Sequence, residues 1–507
     1  MGMRKDPWLF FGWGSLRVLT GKRVGVWAKA LNDYHGPFRL SLQVHSLLHT
    51  LRPFQEVSIM ARNAIIHPLD NTDLDAKIRQ QDQERVVKLA ARRGVFSRLM
   101  LALVLIGPGV LTMIADNDAG GVITYAQTGA TYGLGFFVPA LLIAGLIAYV
   151  VQEMTVRLGA VTKRGHAEMI WGRYGPFWGW FSLVDLVIAN VLTLITEFIG
   201  ITTGMSVFGV PGWLSALTAL VVDAIVILVL RYYTWERFSL WIALGNLVFV
   251  PLVLLAHPNW SAVVHTFATW RIPGGFTPAF LFIVLANFGT TIAPWMLFFQ
   301  QSSVVDKGLR IKDIRHGQLD TAVGTFAMVV VAVALVVLTG SLVYGMPGAS
   351  GFSIAQIITV LGQHLGRMGE DLFALGLVEA GLIAAIALTA STSWACGEAF
   401  HWPRSINMPA RRAWRFYLPG LMSAVIAAAV VLIPNAPLGF LNLLVQVIAS
   451  IFMPAALLFL LLLLNDRDLM GVHVNRRWQN IAAFTIVGLL VGLNAVFGLS
   501  VISPNLF

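Results

Sequence analysis

Apolar stretches of roughly 20 residues, the length needed to cross a hydrocarbon core, recur from about Arg98 to the end of the chain, divided by short segments rich in Pro, Gly and charge. Eleven can be counted, centred near Leu105, Leu146, Val187, Val221, Leu244, Phe288, Val331, Ile383, Val425, Leu457 and Val487. A chain that is 57% hydrophobic and only 12% charged, with a mean hydropathy of +0.75, has too little polar surface for an ordinary soluble domain. The bilayer is therefore its solvent, and the expected fold is all-α integral membrane with about 11 transmembrane helices.

Orientation follows from the positive residues, which stay on the cytoplasmic side of short loops. With the N-terminus inside, the inner loops hold seventeen Lys and Arg, among them Arg157, Lys163, Arg231, Lys307, Arg404 and Arg477. The outer loops hold two, Arg271 and Arg367, so the C-terminus is expected outside. The net charge of +10 is then a topology signal in a cell membrane, and no nucleic-acid partner is needed to explain it. Residues 1–97 carry fifteen Lys and Arg without a spanning run, and read as a cytosolic basic and amphipathic extension ahead of a transporter domain at 98–507. No secretory signal is expected there. Asn71 to Arg93, with acids early and bases late, reads as a solvated helix.

The single cysteine, Cys396, excludes an intramolecular disulfide and any Cys-based cluster, so oxygen must dominate metal binding. Charge inside a membrane is costly and usually functional or paired. The first span is interrupted by Ala115-Asp116-Asn117-Asp118-Ala119-Gly120-Gly121, two carboxylates and two glycines in an otherwise apolar run. Gly-Gly favours unwinding, which frees backbone carbonyls at mid-membrane, and Asp supplies charge for a cation that gives up water. An extracellular turn between short helices is the bland alternative, and it leaves the small-residue face resumed at Thr124 to Ala130 unexplained. A second break, Gly289-Thr290-Thr291-Ile292-Ala293-Pro294-Trp295, puts a proline inside the sixth span. Two broken spans five apart signal two inverted five-helix repeats, a leucine-transporter-type fold with discontinuous first and sixth helices around a central site.

Several stretches resemble the Nramp divalent-metal transporters across residues 98 to 498. Gly107-Pro108-Gly109 opens the first span, and aligning Gln127-Thr128-Gly129 with the family's Gln-Ala-Gly sets Asp118-Ala119-Gly120-Gly121 on its Asp-Pro-Gly-Asn motif. Gln152 to Thr162, Thr196 to Gly200 and Gln446 to Ser450 are similar to its segments after the second span and within the third and tenth. The resemblance implies that Asp118 is the anionic metal ligand, that Gln446 helps directly or through water, and that Ala115 and Thr290 offer backbone carbonyls. The departures are as informative. The family's coordinating Asn is Gly121, its Met-Pro-His is Ala293-Pro294-Trp295, and the third-span Asp preceding Glu197 by three residues is Leu194.

Losing a soft sulfur at Ala293 points toward hard ions. Gly121 and Ala293 also widen the cavity for Mg²⁺, which keeps several waters, and Asp116 adds attraction for a hydrated dication. The pattern resembles the Nramp-related magnesium transporter branch, which implies Mg²⁺ transport with Mn²⁺ also accepted. With Trp295 and Leu194 in place of the proton-route His and Asp, only Glu197 remains to carry a proton, and uncoupled, potential-driven uptake is expected. A proton-coupled Mn²⁺/Fe²⁺ symporter is the alternative; a non-transporting metal-sensing protein on the same fold, using residues 1–97, is another.

Other features weigh less. Glu153 and Arg157 read as a helix-end ion pair. Asp185, Asp223, Glu379 and Glu398 are either paired structurally or line a pathway, and Ala387 to Ser393 reads as a packing face. Gly348-Ala349-Ser350-Gly351 looks superficially like an intramembrane protease nucleophile motif but falls in an outer loop. Without a metalloprotease, P-loop or dinucleotide signature, an enzyme is not expected, nor any cofactor beyond the transported ion.

Overall fold

The computed structural model describes residues 107–502, and among these every regular element is a helix. The N-terminal extension at 1–97 and the expected helix at 71–93 lie outside the described residues. The first crossing is split into α1 (Pro108–Ala115) and α2 (Ala119–Tyr132). There follow α3 (Phe137–Thr162), a short α4 (His166–Tyr174), α5 (Pro176–Ser206) and α6 (Gly212–Val229). The fifth crossing runs through α7 (Tyr232–Ala243), a 3₁₀ turn at Leu244–Val248 and α8 (Phe249–Leu255). After the connecting helix α9 (Trp260–Thr269), the sixth crossing is again split, into α10 (Pro278–Thr291) and α11 (Pro294–Lys307). The remainder is α12 (Ile314–Leu342), α13 (Ile354–Ala399), α14 (Trp414–Val431), α15 (Leu438–Leu464), the small α16 (Arg467–Met470) and α17 (Arg477–Ile502).

Among the described residues ten helical segments are long and apolar enough to span a membrane, and the interrupted α1–α2 pair makes an eleventh crossing. Its two described half-helices flank Asp116–Asp118, the break expected inside the first span, while Leu105 lies outside the described residues. The 46 residues of α13 are two helices, separated at Gly366, whose φ of 73° only glycine adopts readily.

Packing follows the two repeats. The halves of the first crossing pack along α12, as the second half of the sixth packs along α3. At the centre α5, the third crossing, lies against α13, the eighth, in the most extensive helix pair of the bundle. Small residues allow that closeness: a Cβ on Gly204 would come 2.7 Å from the Ala374 carbonyl, and one on Gly381 would come 2.8 Å from that of Glu197. Ala387 to Ser393 does the same toward α14, where Gly420 sits directly on the Thr389 carbonyl.

The polar groups tie the bundle at its ends. Asp320 of α12 accepts from Gly107 N at 2.8 Å and Gly109 N at 2.7 Å, which satisfies the opening amides of α1. Lys307, at the end of α11, pairs with Glu236 of α7 at 2.9 Å. The Glu153–Arg157 pair is more than a helix-end contact: it is buried, and Arg157 also donates to Asn475 Oδ1 at 2.8 Å and His473 O at 3.2 Å in the segment before α17.

Of the intramembrane acids left open by the sequence, Asp223 accepts from Thr389 at 2.8 Å, and Glu398 accepts from Ser302 at 2.5 Å and from Ala167 N at 3.2 Å. Both are structural anchors. Replacing Asp320 by Ala removes the acceptor of two buried amides and is expected to cost about 2–5 kcal/mol, read as a lower thermal unfolding temperature of the purified protein, with Asp320→Asn intermediate.

Candidate metal centre

The two breaks are made in different ways. In the first crossing, the amide that would close a helical bond onto Ala115 O belongs to Ala119, and it donates instead to Glu197 Oε2 at 2.8 Å. Glu197 is held in turn by Thr196 Oγ1, 3.0 Å from Oε1, on the central helix α5. Asp118 caps α2, its Oδ1 accepting from Gly121 N at 2.5 Å. In the sixth crossing the residue that would bond to Thr290 O is Pro294, which has no N–H to give. Ile292 and Ala293 take extended or irregular backbone between the two half-helices. Ala115 and Thr290, the two residues expected to offer carbonyls, are thus the ones whose helical partners are missing.

These breaks face each other. A Cβ built on Gly121 would stand 2.8 Å from Thr290 Oγ1, 3.1 Å from Asp118 Oδ1 and 3.3 Å from Asp116 O. On the neighbouring glycine, Gly120, a Cβ would run into Gln446 Nε2 of α15 and Thr196 Oγ1. Asp118, Asp116, Gly121, Thr290, Gln446 and Glu197 are therefore brought around one turn of α2. Ala293, the N-cap residue of α11, is buried.

Several polar atoms in this cluster are unsatisfied. Asp116 is fully buried and neither carboxylate oxygen accepts a hydrogen bond; Thr290 Oγ1, Asn117 Oδ1 and Gln446 Nε2 are likewise without partners. Buried polar groups are ordinarily paired because leaving one unmade costs about 1–3 kcal/mol, and more for a charge. Rotating the Gln446 carboxamide about its last bond presents oxygen in place of nitrogen. Among the described residues no three His, Cys, Asp or Glu side chains converge as a metal-binding group. The two carboxyl groups, Asp116 and Asp118, stand instead among carbonyl, hydroxyl and amide groups.

Sequence reasoning missed Asn442, whose Nδ2 donates to Gly120 O and Thr124 Oγ1, both at 3.2 Å, while its Oδ1 is unpartnered. Its position four residues before Gln446, hence on the same helical face, was the available signal. Trp295 turns into an aromatic cluster, with Phe299 at 5.7 Å and Phe299 in turn 5.7 Å from Trp394, and its indole N–H has no acceptor. Leu194 is fully buried. Hydrophobic packing fills both positions.

Among the described residues, ten spanning helices and the split first crossing surround a buried oxygen-rich break, the arrangement of a multi-pass membrane transporter. Residues 109–500 match the family described as Nramp, natural resistance-associated macrophage protein-like, and the chain belongs to that family. A divalent metal cation transporter, MntH, of Staphylococcus saprophyticus is 27% identical over 423 residues, covering 79% of this chain and 92% of that protein. The MntH of Staphylococcus aureus strain Newman is 27% identical over 428 residues, covering 77% and 89%. The manganese transporter of Eremococcus coleocola, in a crystal structure with an aromatic bis-isothiourea substituted compound, shares the fold with a TM-score of 0.66 at 21% identity, over 80% of this chain and 88% of that one.

The crowding at Gly121 gives a test of the geometry. Gly121→Ala forces its methyl onto Thr290 Oγ1 and is expected to weaken cation binding by about tenfold or more, roughly 1.4 kcal/mol. Thr290→Ala keeps the carbonyl and should cost less than about threefold, and the double variant should recover part of the Gly121→Ala loss in a binding titration.

Proposed function

We propose that this protein carries a divalent metal cation across the cell membrane, Mg²⁺ with Mn²⁺ also accepted, by uncoupled, potential-driven alternating access. The observation that carries this reading is the Asp116 carboxylate, buried at the break with neither oxygen partnered. Asp118 spends one oxygen on Gly121 N, so Asp116 is the freer acid and Asp118 the positioned one. Together they supply the charge of one dication. Ala115 and Thr290 add carbonyl oxygens, and Gln446 a carboxamide.

The choice of ion rests on what is missing. Ala293 has no sulfur, and Gly121 has no side chain at all, so the donor set is hard oxygen and the space left goes to water retained by the ion. The relatives whose names specify a substrate transport divalent metals, manganese in one case, and Mn²⁺ is also an oxygen-accepting ion. Topologically, the loop charges favour an N-terminus in the cytoplasm and a C-terminus outside. An inside-negative potential then contributes about 4.6 kcal/mol per 100 mV to uptake of two charges, enough for accumulation without a proton.

One observation favours a second reading. Glu197 is a buried carboxylate in direct contact with the broken span through Ala119 N, so a proton taken up there would bear on the site. That would make the protein a proton-coupled Mn²⁺ or Fe²⁺ symporter.

Proteoliposomes loaded with ion-sensitive and pH-sensitive dyes separate the two. Mg²⁺ influx that grows with an inside-negative potential, moves no protons, is abolished by Asp118→Ala and falls at least about tenfold in Asp116→Asn is the expected result. Mn²⁺ entry with acidification and no Mg²⁺ flux would sink the magnesium reading and assign the proton to Glu197, with Glu197→Gln then abolishing the acidification.

A further inference from the structure

The half-helix that leaves the first break, α2, and the one that enters the second, α10, pack against each other, with polar side chains of both buried between them. Tyr125 of α2 is fully buried, and its hydroxyl lies 2.8 Å from Thr291 Oγ1 at the end of α10. The distance alone leaves the donor open. Thr291, however, gives its one proton to Asn287 O at 2.7 Å, so the phenol donates and Thr291 accepts. A second bond runs the other way, from Asn287 Nδ2 to Thr128 Oγ1 at 2.8 Å. The Asn287 amide is fixed in orientation because its nitrogen also donates to Ile283 O at 2.8 Å. Thr128 in turn gives its proton to Thr124 O at 2.7 Å.

These two bonds form a clasp whose spacing suits both helices. Tyr125 and Thr128 are three residues apart on α2, and Asn287 and Thr291 four apart on α10, so each pair lies on one helical face. Hydrogen bonds of this kind hold spans together where lipid supplies no hydrophobic drive between helices. The clasp also adjoins the cation centre. Tyr125 is one turn beyond Gly121 on the same face of α2, and Thr291 directly follows Thr290. Gly121 and Thr290 are where the two breaks come closest, a Cβ on the first standing 2.8 Å from Oγ1 of the second. Glycine has no side chain with which to hold that separation. The phenol one turn on supplies the tie.

We propose that Tyr125 is a positioning residue that sets the width of the cation cavity, and through it the preference for a small dication over a large one. The inference rests on the dication reading above and deepens it. Mg²⁺ demands near-ideal octahedral geometry at about 2.0–2.1 Å, whereas Ca²⁺ takes flexible shells at about 2.3–2.6 Å. Walls held at a fixed separation favour the first ion, and walls free to part favour the second. Tyr125 acts through Thr291, and so through the Thr290 carbonyl beside it, not as a ligand. Asn287 and Thr128 keep the two helices in register while it does so.

The test is a pair of binding titrations, with Mg²⁺ and with Ca²⁺, on the purified full-length protein in detergent. The wild type is expected to bind Mg²⁺ more tightly. Tyr125→Phe keeps the ring and loses the bond, and the Mg²⁺-to-Ca²⁺ affinity ratio is expected to fall by about tenfold, chiefly through Mg²⁺. Thr291→Val breaks the same bond from the other side and should lower the ratio equally, with the double variant no worse than either. Thr291→Ser keeps the hydroxyl and should keep the ratio. A general loosening of the fold lowers both affinities together, so an unchanged ratio in Tyr125→Phe and Thr291→Val overturns the proposal even where binding weakens. Additive losses in the double variant, or a wild type that prefers Ca²⁺, overturn it too. A wild type that binds neither ion fails the dication reading and this proposal with it. Mg²⁺ binding with an unchanged ratio leaves that reading standing and sinks the clasp alone.

Discussion

The contact on which the rest of the site depends is one hydrogen bond, from Ala119 N to the Glu197 carboxylate. In hydrocarbon a backbone amide must be satisfied by protein, so a helix cannot simply stop in mid-span. Glu197 takes the first orphaned amide, Asp118 takes that of Gly121, and Asn442 donates to Gly120 O. The break is therefore a set of exchanged bonds, and the carboxyl group left unsatisfied among them is that of Asp116. Because Glu197 sits on α5, and α5 is locked along α13, the most tightly packed helix pair positions the least regular stretch of backbone.

The sixth-span break is built otherwise. Pro294 cannot close a bond onto Thr290 O in any arrangement, so that carbonyl is free for a covalent reason. Ala115 O, in contrast, is free only while Glu197 holds Ala119 N. One half of the centre is fixed by sequence and the other by a tertiary contact that a proton or a helix shift at α5 could release. On the proposed reading, that asymmetry would let one buried glutamate bear on cation binding without facing the cation.

This division also governs what was legible in the sequence. The crossings, the two breaks and the paired repeats could be read from hydropathy, Gly-Gly and Pro294, because those signals are local. Asp116, Asp118, Thr290 and Gln446 were recognisable for the same reason, as polar residues in apolar runs or in motif positions. The Glu197–Ala119 bond was not, since 78 positions separate its partners and nothing in either segment specifies the other. Asn442 was passed over because an asparagine near the end of a long apolar run is unremarkable until its amide is seen on Gly120 O. The approach of Glu379 to Gly245 was equally invisible, although Pro251, which has no N–H to give Leu247 O, marks the 3₁₀ turn just before it.

On the proposed reading, charge balance assigns the step on which the membrane potential acts. Asp116 and Asp118 together balance the charge of a dication held between them, so the loaded site moves through the field at little cost or gain. Whatever negative charge the emptied site keeps returns outward, the direction an inside-negative potential favours. A carboxylate replaced by its amide would remove one of those charges and so weaken the voltage dependence of turnover as well as binding. On that reading the additional acid at Asp116 is the counterpart of the departures at Trp295 and Leu194: where two positions of the proton route are apolar, the break carries a second acid.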